Sequence, residues 1–365
     1  MRLYLAAGIC IWMLLHSLPL AAEGPVPKPV ERAHIPQLTE TTRFSGDIRL
    51  CGEKIPYQNQ DVRERLEKEV MLAVWNRPQV VLWLKRAHRY FPHIEKILKE
   101  ENLPLDLKYV PVVESALRPH SRSNKGAVGY WQFLRSTGTR YGLRIDKQWD
   151  ERRNLFKSTR AASRYIQKLN KEFGSYLLAL AAYNMGEFGL KTEIEAQETR
   201  DFFSLYLPLE TQRYVLKIVA VKRILENPDV YGFGMKPEDL YPVFAYSKVT
   251  FSLKGEIPLF VIAKAAGMSF KALKDYNPDI RGYYLNVENS TVLVPKGHEK
   301  GFEKKFVSLH RAWKKENRVK FHVVRPGESL TQIASQHKMT LSALLRLNNF
   351  SYNKVIHPGD RLMVR

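Results

Sequence analysis

Tyr109-Val-Pro-Val-Val-Glu-Ser115 is the stretch on which the reading of this chain turns. An apolar run ends on a carboxylate, Glu114, followed by a small hydroxyl, Ser115. Burial disfavours the ionised form of a carboxyl group, so a glutamate in this setting keeps its proton closer to neutral pH than usual. That suits it to proton donation. The competing reading is a glutamate ion-paired at a helix end. Two blocks follow. Gly126-Ala-Val-Gly-Tyr-Trp-Gln132 holds small residues that let a backbone approach a bound ligand closely, with a tight loop as the competing reading. Ala181-Ala-Tyr-Asn-Met-Gly186 puts two polar groups, Tyr183 and Asn184, after an apolar run, where they need partners.

Around these blocks the spacing is helical. Val62, Leu66, Val70 and Val74 recur every four residues, and Val80, Leu84, Ala87, Phe91, Ile94 and Leu98 continue the pattern. Pro92 predicts a break. Ser158 reads as the N-cap of a helix with Ala162, Ile166, Leu169 and Phe173 on its apolar face and Gly174 at its end. Leu177 to Tyr183 is apolar almost all round and predicts a buried helix. Pro208 and Glu210 open another. Residues 61–236 are therefore expected to form an all-α domain.

Near Pro242 the pattern changes to short β-like runs: Val243 to Phe251, Thr291 to Val294, Lys320 to Val324 and Arg361 to Val364. An internal repeat matches Ile262-Ala263 to Ile333-Ala334, Met268 to Met339, Leu273 to Leu344 and Asn277 to Asn348. Each half reads strand, helix, helix, strand, giving two small α+β modules at 240–298 and 319–365. The first is degenerate: Pro258 stands where the second has an ordinary helix residue, and Val287 to Asn289 replace a Pro-Gly-Asp turn. For it, packing and ligand binding are both open. The basic stretch 299–318 reads as a helical or flexible linker.

At the other end, Arg2, the apolar run Leu3 to Leu15 and Leu20-Ala-Ala22 read as a secretory signal peptide over residues 1–22, with an uncleaved anchor as the alternative. Cys10 follows Ile9 in the middle of the apolar run, a poor position for lipid attachment. Residues 23–60, rich in proline, read as a tether and arm. With the leader removed Cys51 stands alone, which excludes an intramolecular disulfide and a cysteine metal cluster. The 365 residues carry a net charge of +21, which points to an anionic partner. Export disfavours nucleic acid, and the carboxylates of cell-wall peptidoglycan suit both export and charge. His88, His93 and His120 lack metal-ligand spacing, and no glycine-rich phosphate loop follows a strand, so neither a metal nor a cofactor is expected.

The segment from Leu103 to Gly186 resembles the lysozyme-like catalytic domain of lytic murein transglycosylases, closest to the D-type branch with C-terminal LysM repeats. The resemblance rests on Leu103-Pro-Leu-Asp-Leu-Lys, Val113-Glu114-Ser115, Ser123, Gly126-Ala127, Gly129, Trp131-Gln132, Asp150-Glu-Arg152, Ser158-Thr159 and Leu178-Ala-Leu-Ala-Ala-Tyr-Asn184. Leu207-Pro208, Glu210-Thr211 and Tyr214-Val215 extend it. It implies that Glu114 is the single acid/base, with Ser115, Ser123, Gly129, Gln132, Tyr183, Asn184, Glu210 and Tyr214 supporting the cleft or touching substrate. Tyr130 and Trp131 are left between sugar stacking and the core. Asp150 and Glu210 are the other carboxylates, and the family pattern makes neither a nucleophile. The implied reaction cleaves the bond between N-acetylmuramic acid and N-acetylglucosamine and closes a 1,6-anhydro ring. The alternatives are a hydrolase and a non-catalytic wall-binding protein. Residues 321–364 resemble a LysM module through Val323-Val-Arg-Pro-Gly-Glu-Ser-Leu330, Ile333-Ala334, Asn348 and Pro358-Gly-Asp360. This implies glycan contacts from Gly327, Glu328, Ser329, Leu330, Asn349 and Ile356. Neither oligomeric state nor the manner of envelope attachment follows from the sequence.

Overall fold

A computed structural model describes residues 35–252, 255–286, 289–316 and 320–365. The expected signal peptide, Cys10, the first part of the expected tether, and Val287 and Glu288 of the expected turn replacement lie outside the described residues. Eight helices build the first part: α1 (Gln60–Trp75), α2 (Arg77–Glu100), α3 (Val110–Ser115), α4 (Arg135–Arg140), α5 (Leu155–Phe173), α6 (Tyr176–Met185), α7 (Glu187–Gln197) and α8 (Leu209–Glu226). The four-residue spacing of α1 buries Val62, Leu66, Val70 and Val74, and Asn59 caps it by accepting from the Asp61 and Val62 amides. That face packs on α8. The apolar α6 is the central helix: Leu177 to Ala182 are all buried, against α5, α7 and α8.

Three local expectations are corrected. Pro92 does not break α2, which runs through it to Glu100. Proline already has a helical φ, and what it lacks is one amide donor. Ser158 does not cap α5. Asn154 does, accepting from the Phe156 and Lys157 amides, while Ser158 Oγ turns back to the Asn154 carbonyl at 2.6 Å. The arm is no tether from Pro36 onward. A two-residue hairpin, β1 (Arg49–Leu50) with β2 (Glu53–Lys54), carries Ile48, Leu50 and Ile55 into the helical core. Glu53 accepts from Ser175 Oγ at 2.6 Å and the Cys51 amide donates to Asp106 at 2.7 Å. Burial pushes the Cys51 thiol well up, so it stays protonated.

The first module runs β3 (Tyr246–Ser252), β4 (Glu256–Pro258), α9 (Leu259–Ala265), α10 (Phe270–Tyr276), β5 (Tyr284–Asn286), β6 (Asn289–Pro295) and α11 (Phe302–Glu316). β3 pairs antiparallel with β6, Val249 opposite Val292, and β4 with β5. The second module runs β7 (Lys320–Val323), α12 (Leu330–Gln336), α13 (Leu341–Leu347) and β8 (Arg361–Val364), with β7 antiparallel to β8. The repeat is physical. Asn277 accepts from the Leu293 amide at 2.7 Å and donates to its carbonyl at 2.8 Å. Asn348 does the same with Met363 at the same two distances. Each asparagine ties its second helix to its last strand. Pro258 lies just before α9 at the capping position, outside the helix. The basic stretch is α11, and its Phe302 and Phe306 are buried in the core of the first module. It is therefore part of that module, not a linker.

The first module is joined to the helical domain by backbone bonds. The Asp150 amide donates to Asp279 O at 2.8 Å and the Arg281 amide to Gln148 O at 2.7 Å. Trp149, from the loop between α4 and α5, packs in the module core. His88 and His93 on α2 donate to the carbonyls of Tyr241 and Phe244 at 2.7 and 2.8 Å.

Candidate active site

Glu114 stands on the last turn of α3, a helix of six residues that stops abruptly because Ala116 and Leu117 both take a left-handed backbone, φ +52° and +57°. Such conformations cost non-glycine residues about 1 kcal/mol or more each and concentrate at functional sites. The left-handed turn closes on the helix through the Ala116 and Leu117 amides, which donate to Val112 and Pro111. Arg86 Nη1 binds the Ala116 carbonyl at 3.1 Å. Ser115 is buried and donates to Tyr130 O at 2.8 Å or Pro111 O at 3.0 Å. It thereby ties α3 to the loop Gly126–Gln132.

The Glu114 side chain lies between two cavities of about 360 and 400 Å³, which share Glu69, Val113, Arg213 and Lys217 on their walls. Tyr214, from α8, donates to Glu114 Oε1 at 2.6 Å. Burial pushes the Glu114 carboxyl up to about 7; the Tyr214 bond and the charge of Lys217 pull it back, and the charge of Glu210 adds to the rise. Tyr214 and Tyr183 are both held far above the usual phenol range, first by burial and next by the charge of Glu114. The site thus holds an acid poised to give up its proton near neutral pH.

The structure brings Asn184, Glu210 and Tyr214 to the larger of these cavities with Glu114, and Ser115 to the other. Asn184 Oδ1 accepts from Thr211 at 2.9 Å. Glu210 is exposed on the first turn of α8. Ser123, Gly129, Gln132 and Tyr183 line neither cavity. Tyr183 donates to the Trp131 carbonyl at 2.6 Å, and the Gln132 amide donates to Gly129 O at 2.8 Å and Ser121 O at 3.2 Å. Ser123 Oγ accepts from the Ala127 amide at 3.1 Å. Gly129 makes room for protein, not sugar: with φ +88°, a Cβ there would lie 1.9 Å from the Arg152 carbonyl oxygen. Trp131 and Tyr130 are core residues, Trp131 fully buried with its indole N–H on Thr159 at 3.0 Å. Asp150 is buried in a two-pronged ion pair with Arg152 at 2.8 and 2.9 Å.

Glu69 and Arg213, paired at 2.6 Å on the cleft wall, were not visible as site residues. A signal existed: Glu69 falls on the apolar stripe of α1, between Leu66 and Val70, and only 3% of it is exposed. Among the described residues no group of three or more His, Cys, Asp or Glu is placed to hold a metal, and no helix is long and apolar enough to cross a membrane.

In the second module Gly327 takes φ +83° and Asn349 φ +54°. Glu328 accepts from the Arg325 amide at 2.8 Å and meets His322 Nε2 at 2.7 Å. Ser329 caps α12 reciprocally with Gln332. Leu330 and Ile356 pack against the module core. These side chains shape the two loops, and Tyr352 and Val355 are the apolar groups left exposed there.

Comparison with known proteins agrees with this architecture. The Transglycosylase SLT domain family matches residues 92–205, the MltD-type lytic transglycosylase LysM-like domain matches 249–310, and the LysM domain matches 322–365. Fold and matches together define a lysozyme-like lytic transglycosylase domain followed by LysM modules. The membrane-bound lytic murein transglycosylase D of Escherichia coli K12 is 33% identical over 335 residues, 88% of this chain and 72% of that protein. The chain belongs to that family. A peptidoglycan transglycosylase of Escherichia phage T7 is 35% identical over 131 residues, 35% of this chain and 10% of the phage protein. The 70 kDa soluble lytic transglycosylase of E. coli aligns over 52% of this chain and 37% of its own, at 19% identity and a TM-score of 0.36.

Proposed function

We propose that this chain cleaves the glycan of peptidoglycan with Glu114 as its sole acid and base, and that the substrate supplies the nucleophile. Glu114 protonates the oxygen between N-acetylmuramic acid and N-acetylglucosamine, and the C1–O bond breaks. The carboxylate then takes the proton of the muramyl 6-hydroxyl, whose oxygen bonds to C1. The products are a free 4-hydroxyl and a 1,6-anhydro end, with no water consumed. The observation that carries this reading is Glu114 held near pKa 7 with Tyr214 at 2.6 Å. An ordinary glycosidase needs a second carboxylate across the bond. The other carboxylates on the cleft wall are Glu69, occupied by Arg213, and the exposed Glu210. An intramolecular hydroxyl can reach an effective molarity on the order of 10⁵–10⁸ M, against which bulk water competes poorly.

Asn184, Glu210, Tyr214 and Ser115 line the cleft for substrate, and Ser123, Gly129, Gln132 and Tyr183 fix the loop that Ser115 binds. The C-terminal module holds glycan strands through the loops at 327–330 and 349–356. Residues 1–22 direct export, so that the protein works in the periplasm or envelope. Mass spectrometry of products made in ¹⁸O-water tests the reaction. Anhydromuramic ends without label are expected. Label at C1 in most products would establish hydrolysis instead.

A further inference from the structure

The two cavities beside Glu114 differ in charge. Both carry the Glu69–Arg213 pair and Lys217 on their walls. The larger adds Glu210, whose charge balances Lys217; the smaller adds Arg118 and no further carboxylate. Glu69 is occupied by Arg213 at 2.6 Å, and Glu114 is uncharged in the protonated form that starts the reaction. The wall of the smaller cavity therefore holds two positive charges in excess, Arg118 and Lys217. Both residues are exposed, and among the described residues neither has an ion-pair partner. Both are tied to the acid. Arg118 Nε donates to the carbonyl of Ser115, the residue after Glu114, at 3.1 Å. Lys217 stands on α8 three residues beyond Tyr214, close enough that its charge opposes the burial that raises the Glu114 carboxyl. Arg86, whose Nη1 binds the Ala116 carbonyl, is pulled below its usual range by burial and next by the charge of Arg118. Cations crowded without a counter-charge favour an anion brought by a ligand.

The strand that reaches Glu114 in the reading above alternates a neutral sugar with one whose lactyl group or stem peptide bears carboxylates. We propose that Arg118 and Lys217 bind a carboxylate of the muramyl residue or of its stem, and so select which bond of the strand meets Glu114. The inference rests on the peptidoglycan reading. A strand shifted by one sugar exchanges a carboxylate-bearing residue for a neutral one and leaves both cations unmatched. With Nε on Ser115, Arg118 keeps its two Nη groups for a carboxylate, and Lys217 adds a mobile point charge. Pairs at this exposure contribute little to affinity but discriminate between charged and neutral partners.

The test measures kcat/KM of the full chain on a soluble tetrasaccharide of alternating N-acetylglucosamine and N-acetylmuramic acid in three forms: with stem peptides, with the stems removed to leave lactyl carboxylates, and with every carboxylate converted to a methylamide. The readout is the ratio of kcat/KM on a carboxylate-bearing form to that on the methylamide, in which any effect of Lys217 on the titration of Glu114 cancels. Arg118→Gln combined with Lys217→Gln should lower that ratio about three- to tenfold at low salt, the scale of two partly exposed ion pairs. Added salt should lower it in the parent. Arg118→Lys combined with Lys217→Arg keeps both charges and should restore most of it. A loss seen with the stem-bearing form assigns the carboxylate to the stem, and one seen with the stripped form assigns it to the lactyl group. A ratio unchanged on both forms overturns the proposal. If the fragments are not turned over, the same ratio is read from Kd values of the full chain carrying Glu114→Gln. Product identity is read separately: reducing ends in place of anhydro ends would sink the functional reading and leave the selectivity standing.

Discussion

The Tyr214 hydroxyl donates to Glu114 Oε1 at 2.6 Å, joining α8 to the last turn of α3 across 100 residues of sequence. The bond favours the carboxylate and so opposes burial, which drives Glu114 up to about 7. Tyr214→Phe should raise the Glu114 pKa further. A hydrogen bond to a charged group is worth about 1.5 kcal/mol or more, about one pH unit. The alkaline limb of the kcat/KM profile should move up by that much while the protein stays folded. An unmoved limb would separate Tyr214 from the titration of Glu114.

Glu114→Gln should lower turnover by about 10²–10⁴-fold, since the amide keeps the shape but cannot give a proton. It should also alter stability in a defined pH window. The carboxyl is raised from 4.5 to about 7 in the folded chain. The unfolded chain therefore ionises first, and the stability of the parent protein falls as pH rises between those values. The amide escapes that loss. The variant should gain on the parent from pH 4.5 to 7, by at most about 3 kcal/mol, and the difference should level off above pH 7. Denaturant titrations at pH 4 and pH 8 measure this, and equal gaps at both would refute the burial account.

The elements legible beforehand were those set by local chemistry. The all-round apolar α6 and the four-residue stripe of α1 follow from side-chain periodicity, and Glu114 was marked by its apolar context. What escaped depends on where the folded backbone runs. The space beside Gly129 is filled by Arg152, so the glycine read as an approach for sugar. The partners of Gln132 and Tyr183 are backbone carbonyls, which every residue carries and no side-chain pattern discloses. Asn154 and Ser158 are both good caps by type, and only the local backbone chooses between them.

Gly129→Ala tests that close approach directly. The added methyl would sit 1.9 Å from the Arg152 carbonyl oxygen at φ +88°. Backbone must move, and it is backbone beside the buried Asp150–Arg152 pair, whose guanidinium also binds Phe133 O at 3.1 Å. A loss of about 3 kcal/mol is expected from overpacking and strain together, read as a lower denaturation midpoint. A near-parental midpoint would mean that the loop relaxes freely.

Removing residues 319–365 should weaken retention on insoluble sacculi yet spare cleavage of short soluble glycans. A second binding unit raises effective concentration on a polymer without changing the chemistry. Among the described residues the module meets the remainder through contacts such as the Arg365–Glu256 ion pair at 3.0 Å and Arg346 over the Tyr284 ring at 4.6 Å, and partly exposed pairs contribute little. Equal retention of the full and shortened chains would remove the binding role of the module.

The last prediction concerns α11, whose six lysines, arginines and histidines disguise it as a solvated linker only if its aromatics are overlooked. Phe302 and Phe306 stack on each other with centroids 5.4 Å apart, and Phe306 meets Phe251 of β3 at 4.8 Å. Phe306 is 1% exposed. A true linker would tolerate Phe306→Ala. Here the change empties a core position, and large-to-small substitutions of a buried phenylalanine cost about 3–5 kcal/mol. The first module is small, so that loss should open it locally, while the helical domain keeps its own core and Glu114 its geometry. Hydrogen exchange should therefore rise across β3, β6 and α9 and stay unchanged in α6 and α8. Exchange left unaltered in the module would return α11 to the status of a tether.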